Sequence, residues 1–160
     1  MDEIVRRAQL DDRANIEQLE TAARGGIIGV RGGDLRLAEC DHVPDWSTWI
    51  GDPMKVVLVG CLDEVVVAFL TMHLSATRQR GIIAHVYVEV GARELGLGDA
   101  LVDAAITAVR AAGLPGIESE VLPGDRETKN LFERAGLTAR KLTVYKSLQA
   151  VPAETSGTAP

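Results

Sequence analysis

The chain has 160 residues, 46% of them hydrophobic and 25% charged, the size and balance of one globular domain with a sizeable core and no room for a second independent one. No stretch approaches the roughly 18 apolar residues of a membrane span, the opening MDEIVRRAQL lacks the long apolar centre of a secretion signal, and a formal charge of −6 argues against broad contact with nucleic acid or anionic membrane while suiting a cationic or amine substrate. A soluble, cytoplasmic protein is expected, with Cys40 and Cys61 reduced and structural, because two cysteines without a Cys-x-x-Cys or Cys/His cluster offer neither a disulfide framework nor metal-ligand spacing.

In chain order, residues 2–8 suit a short strand, and Asp11 or Asp12 can cap a helix that sets Ile16, Leu19 and Ala23 near one face and stops at Gly25-Gly26. The stretch to Pro53 is Gly-rich and irregular, holds Trp46 and Trp49, and has room for a second short helix; a loop of that length is usually functional. Residues 55–61 and 65–74 are two β-branched-rich runs joined by Leu62-Asp63-Glu64, a hairpin. Residues 81–90 read as a third strand, with Ala84, Val86, Val88 and Val90 on one face and His85, Tyr87 and Glu89 on the other.

From Leu97 the period becomes helical. Leu97, Leu101, Val102, Ala105, Ile106 and Val109 form a stripe opposite Asp99, Asp103, Thr107 and Arg110, and Gly113 is a natural stop. A short strand over 116–121, a turn at Pro123-Gly124 and a helix capped by Asp125 and closed by Gly136 follow. A last strand is expected within 137–148, which makes 1–148 a single domain. The Pro/Ala/Thr-rich residues 149–160 are expected to form a disordered tail.

The run Arg93-Glu94-Leu95-Gly96-Leu97-Gly98 stands where the alternating strand gives way to the amphipathic helix. A helix N-terminus presents unpaired amides and the positive end of a dipole, and glycines there admit a pyrophosphate without a Cβ in its way. A tight turn that needs glycine for positive φ is the plain structural alternative.

With these features in view the sequence resembles the GNAT (Gcn5-related N-acetyltransferase) superfamily over roughly residues 3–148. The element order is that family's, and Val88-Glu89-Val90-Gly91-Ala92-Arg93-Glu94-Leu95-Gly96-Leu97-Gly98-Asp99-Ala100-Leu101 looks like its acetyl-CoA motif. Asn130-Leu131-Phe132-Glu133-Arg134-Ala135-Gly136-Leu137 is similar to its later helix ending. The resemblance implies an α/β (α+β) fold with a mixed, mostly antiparallel central sheet flanked by helices. It also implies acetyl-CoA as co-substrate, with the amides of Leu95, Gly96, Leu97, Gly98 and Asp99 on the pyrophosphate, the backbone near Val88 and Val90 along the pantetheine arm, and Arg93, Asn130 and Phe132 completing the cofactor set.

Three departures from the family stand out. Glu94 puts a carboxylate near the pyrophosphate, which is unfavourable unless it points to solvent. Phe132 occupies the place where many members have a tyrosine that protonates the departing thiolate, and a phenyl ring cannot donate that proton. Only about a dozen residues follow Gly136 before the tail, so the sheet is a strand short or a partner subunit in a homodimer completes it.

In the family's mechanism an amine attacks the acetyl group directly, so the enzyme must position two ligands, remove a proton and stabilise an oxyanion, for which a strand amide near Val88 would serve. His85 is the first candidate base, since an unperturbed imidazole suits pH 7; Glu89, acting through water, is the alternative. Tyr87 and Tyr145 are candidate proton donors. Trp46 and Trp49 can form an aromatic wall for a cationic amine that Asp34, Glu39, Asp41 and Asp45 attract; His42 and His73 are isolated and take no role. The rival readings are a non-catalytic acyl-CoA sensor and a nucleotide-phosphate binder, the latter disfavoured because no Gly-Lys-Ser/Thr follows the glycines.

Overall fold

The computed structural model describes residues 3–149; Asp2 of the expected first strand and residues 150–160 of the expected tail lie outside them. Five strands form one sheet in the order β1-β2-β3-β4-β5: β1 (Glu3–Arg7), β2 (Lys55–Leu62), β3 (Val65–Ser75), β4 (Arg80–Val88) and β5 (Gly116–Ser119). The first four run antiparallel to their neighbours and β5 is parallel to β4. The mixed, mostly antiparallel sheet with flanking helices is as expected.

The sheet is buried on both faces, which is why β2 and β3 are nearly continuous apolar runs and not alternating ones. On one face α4 (Leu97–Ala111) lays Leu97, Leu101, Val102, Ala105 and Val109 on Leu58, Ala68, Leu70, Met72 and Ile83, and α5 (Arg126–Arg134) adds Leu131 and Phe132. Gly60 sits under α4 where an added Cβ would stand 3.1 Å from Ala68 Cβ and 3.3 Å from Leu97 Cδ2; glycine is what lets the helix lie this close. On the other face α1 (Arg13–Gly26), α2 (Gly33–Glu39) and α3 (Trp46–Gly51) cover the sheet, with Ile16, Leu19 and Trp46 against Val57, Val59 and Phe69.

The irregular stretch before Pro53 therefore contains two short helices where one was expected. Asp12, expected as a helix cap, does something else. Its carboxylate accepts from Arg6 Nη1 at 2.7 Å and Nη2 at 2.9 Å and from the Gln9 amide at 2.7 Å, tying β1 to the 3-10 turn that precedes α1. The Arg6 guanidinium holds this buried carboxyl below its usual range.

The hairpin turn is only Asp63-Glu64, with φ of 45° and 71°, the left-handed pair that matches the twist of the strands it joins. Neither residue is glycine. Glu64→Gly is expected to raise stability by about 0.5–1 kcal/mol, the relief of left-handed strain less the entropy glycine costs in the unfolded chain. A thermal melt that drops or stays put would remove the strain from Glu64.

Two strand expectations are corrected. β4 ends at Val88, and Val90, expected on its apolar face, is 70% exposed at the start of a 3-10 turn over Val90–Ala92. No strand forms among residues 137–149, where Leu142, Val144, Tyr145 and Leu148 are exposed. The segment has strand-forming side chains but no edge paired to it.

Candidate functional site

The site begins with one extra residue. Thr71 of β3 stands opposite His85, but Met72 stands opposite Ile83, so Ala84 is a bulge in β4. Pairing with β5 runs from Arg80 opposite Gly116 to Ile83 opposite Ser119 and ends there. Beyond Ala84 the two strands part. The Ala84 carbonyl accepts from Arg36 Nη2 of α2 at 3.0 Å.

The free side of β4 offers backbone. The Glu89 amide donates to the Val67 carbonyl at 2.9 Å. With the two-residue period of a strand, the amides of His85 and Tyr87 then turn toward β3 and those of Val86 and Val88 toward the open side. The Val88 carbonyl there accepts from Arg93 Nε at 3.2 Å.

At the end of this cleft, Glu94 (φ 69°) and Gly96 (φ 83°) bend the chain into α4. Helices α3 and α5 are closed by aspartates: Asp45 accepts from the Ser47 amide at 2.9 Å and Asp125 from the Thr128 amide at 3.0 Å. Helix α4 has Gly96 at its cap and no side-chain cap at all. Its first-turn amides at Leu97, Gly98 and Asp99 lie where no intrahelical acceptor exists, at the positive end of a 15-residue helix. The Asp99 carboxylate is held by Arg134, Nε at 3.0 Å and Nη2 at 3.1 Å. An added Cβ at Gly98 would stand 3.4 Å from Leu131 and 3.8 Å from Val88, so this glycine faces the narrow space between β4 and α5.

The remaining expected cofactor residues divide. Arg93 links the loop to its neighbours, reaching the Val88 carbonyl and, at 2.7 Å, Glu127 of α5. Leu95 packs partly buried against the α4 core, and Phe132 is fully within it. Asn130 is exposed on α5, and Glu94 is exposed to solvent, the orientation that relieves its conflict with an anion.

The candidate catalytic residues occupy two environments. His85 points to the α1 face, amid Trp46, Trp49 and Phe69 with ring centroids 6.0–6.3 Å away. Its Nδ1 shares a hydrogen bond of 2.6 Å with Thr71 Oγ1, and burial pushes its pKa down to about 4, so the ring is neutral at pH 7. Tyr87 lies partly buried on the same face, with the Arg93 guanidinium 5.9 Å from its ring. Glu89 is exposed just past the strand end, and Tyr145 is exposed in the segment after α5.

The expected aromatic wall is not built as read. Trp46 is fully buried and donates from Nε1 to Glu20 at 3.1 Å, while the Trp49 face is covered by Lys55 Nζ 3.7 Å from its centroid. Asp45 serves as a helix cap. Three contributors escaped the sequence reading: Glu20, Arg24 and Arg36. Only Glu20 left a signal, a carboxylate beside Ile16 and Leu19 on the apolar stripe of α1. Nothing in the local pattern marks an arginine that will bond to a bulge carbonyl 48 residues away.

A cleft opened by a bulge beside an uncapped helix N-terminus defines a fold class that comparison names. Residues 30–137 match the model of the Acetyltransferase (GNAT) family, and the chain belongs to that family. A search of curated proteins gives no match. Among solved structures, a point mutant of the BH1408 protein from Bacillus halodurans is 23% identical, with a TM-score of 0.76 over 91% of this chain and 99% of that one. AAC(6')-Iy in complex with the bisubstrate analog CoA-S-monomethyl-acetylneamine is 11% identical, TM-score 0.71, over 94% of this chain and 100% of that one. The ribosomal-protein-alanine N-acetyltransferase from Brucella melitensis biovar Abortus 2308 is 15% identical, TM-score 0.67, over 92% and 99%. These identities establish a shared fold. Among the described residues no helix is long and apolar enough to cross a membrane, and no group of His, Cys, Asp and Glu is arranged to hold a metal ion.

Proposed function

We propose that this chain is an N-acetyltransferase that moves an acetyl group from acetyl-CoA directly to a primary amine. The observation that carries the reading is the uncapped N-terminus of α4 at the mouth of the β4/β5 cleft. Helices α3 and α5 are closed by an aspartate side chain, while α1, α2 and α4 carry no side-chain cap, and of these three α4 is the one whose N-terminus follows β4 at the cleft. The amides of Leu97, Gly98 and Asp99 would hold the pyrophosphate, with Leu95 and Gly96 shaping the approach and Arg93 bracing the loop. The backbone at Val88 would pair with the pantetheine arm as expected, joined by Val86 in place of Val90, which stands past the strand end in a 3-10 turn, and the Val88 amide would stabilise the oxyanion that forms as the amine attacks the acetyl carbonyl. His85, neutral at pH 7, would take the amine proton directly or through water, with Glu89 as alternative base and Tyr87 as donor to the thiolate. Phe132 packs in the core and takes no part in proton transfer.

The structural neighbours, which include an aminoglycoside N-acetyltransferase and a ribosomal-protein-alanine N-acetyltransferase, support an amine acceptor. A cytoplasmic homodimer belongs to the same proposal. Its support is the two free cysteines, the terminal position of β5 in the sheet and the exposed apolar residues after α5.

The test is release of free thiol from acetyl-CoA across polyamines, amino acids, aminoglycosides and peptide N-termini. Turnover with one class is expected. Binding of acetyl-CoA by calorimetry without thiol release across the panel would replace the enzyme with the acyl-CoA sensor.

A further inference from the structure

The charges that act on the His85 ring come from α1 and α2: Glu20, Arg36 and Arg24. Glu20 is buried and committed. It accepts from the Val43 amide at 2.8 Å and from Trp46 Nε1 at 3.1 Å, and His42 Nδ1 stands 3.5 Å from it. A ligand cation cannot reach that carboxylate without dismantling the Trp46 contact.

The two arginines are differently placed. Arg36 is half-buried, spends Nη2 on the Ala84 carbonyl at the bulge and Nη1, at 3.2 Å, on Glu120, a side chain that is 91% exposed. An ion pair with so exposed a partner is worth little and is readily exchanged. Arg24 is also half-buried, and its one hydrogen bond among the described residues runs from Nη1 to the Cys40 carbonyl at 2.6 Å. Cys40 closes α2 by donating its amide to the Arg36 carbonyl at 2.9 Å, so the residue whose carbonyl Arg24 binds lies one helical turn along α2 from Arg36, and both arginine charges act on the His85 ring. A guanidinium carries five N–H donors in a flat fork matched to a carboxylate, and both keep donors in hand.

Resting on the proposal that the bulge at Ala84 opens the catalytic cleft, the geometry points to an acceptor that carries a carboxylate close to its amine, an amino acid or a near derivative, with Arg36 and Arg24 as the groups that bind the carboxylate. The amine would then lie toward His85, and the carboxylate among the charges that act on that ring, Glu20, is already spent on Val43 and Trp46. Asp45, the residue of the acidic set nearest Trp46 in sequence, is spent on Ser47 and Thr48.

The experiment compares amino acids with their amides and decarboxylated amines in the thiol-release assay, with acetyl-CoA affinity measured separately by calorimetry. A kcat/KM about 10- to 100-fold higher for the carboxylate form is expected, the range of a charge-assisted bidentate pair. Arg24→Gln should erase much of this preference by raising KM for the carboxylate form while leaving KM for the amide unchanged. Arg36→Lys, which retains a donor for the Ala84 carbonyl but not the fork, should do the same. Preference for polyamines or aminoglycosides, an unchanged carboxylate-to-amide ratio in both variants, or acetyl-CoA binding without release with any carboxylate-bearing amine each overturns this inference and leaves the cofactor site standing. Absence of acetyl-CoA binding overturns the underlying reading, and the inference with it.

Discussion

Gly96→Val should yield a folded protein whose affinity for acetyl-CoA has fallen by about 10²-fold or more. Gly96 holds φ of 83° at the cap of α4, and the space around its missing Cβ is open, with Glu3 Oε2 at 3.9 Å the nearest atom. The substitution therefore acts through backbone conformation and not through a clash. A β-branched residue in the left-handed region costs roughly 1–2 kcal/mol, which a chain of 160 residues would register as a loss of a few degrees in Tm. If valine relaxes to negative φ, the amides of Leu97 and Gly98 no longer converge. Hydrogen bonds to a charged group contribute about 1.5–3 kcal/mol each, so losing two gives about 10²- to 10⁴-fold in Kd. Calorimetry with acetyl-CoA, beside a thermal melt, reads both quantities. A folded variant with wild-type affinity would move the pyrophosphate away from this helix.

His85→Gln should lower kcat by about 10²- to 10⁴-fold, the range for a positioned base, with acetyl-CoA affinity retained. The pH profile is the sharper measurement. An ordinary histidine would give an acid limb near pH 6.5, but burial among Trp46, Trp49 and Phe69 pushes His85 down to about 4, so kcat/KM should hold through pH 6 and fall only toward 4. Stability should respond in the same window. Below pH 6.5 the unfolded chain takes up a proton on this residue that the folded one refuses until about pH 4. The folded state therefore loses up to about 3 kcal/mol across that interval, and above it the contribution is fully present. Asp12, held low by Arg6, loses its contribution mainly at still lower pH. Denaturant melts at several pH values should show a shallower slope for His85→Gln than for wild type. Wild-type turnover in the variant would pass the base to Glu89 or a water chain, and equal slopes would dispose of the buried neutral imidazole.

Much of this architecture was legible because periodicity reports which faces are covered. The stripe of α4 and the cap at Asp125 both follow from local pattern, as does the hairpin between β2 and β3. The uncapped glycine turn at Gly96 was also visible, since a strand that ends in Arg-x-x-Gly-x-Gly and restarts with helical spacing leaves few other structures available. What was hidden depended on distant partners. The bulge at Ala84 is masked by apolar neighbours, because Gly81-Ile82-Ile83-Ala84 reads as buried in either register. Arg36 gains its place only once α2 meets β4. Trp46 looked like a ligand surface because an exposed and a buried indole have the same sequence signal, and its burial is matched by a hydrogen bond from Nε1–H to Glu20 that local sequence does not announce. The segment after α5 has strand propensity, but propensity without an edge to pair with makes no strand.

The single extra residue at Ala84 has one more effect, on phase. Ile83 lies on the α4 side, and after the bulge Val86 and Val88 lie on that side too, while His85 and Tyr87 turn to the tryptophans. Taken into the ladder as an ordinary strand residue, Ala84 would invert every side chain that follows, sending the imidazole under α4 and the valines toward α1. Its loss would do the opposite: the ladder would run straight from Ile83 to His85, and the histidine would stay across from Thr71 with the tryptophans. The direction in which the histidine looks is thus set by the bulge and not by the chemistry of Ala84, and a deletion that straightened β4 would leave that direction intact.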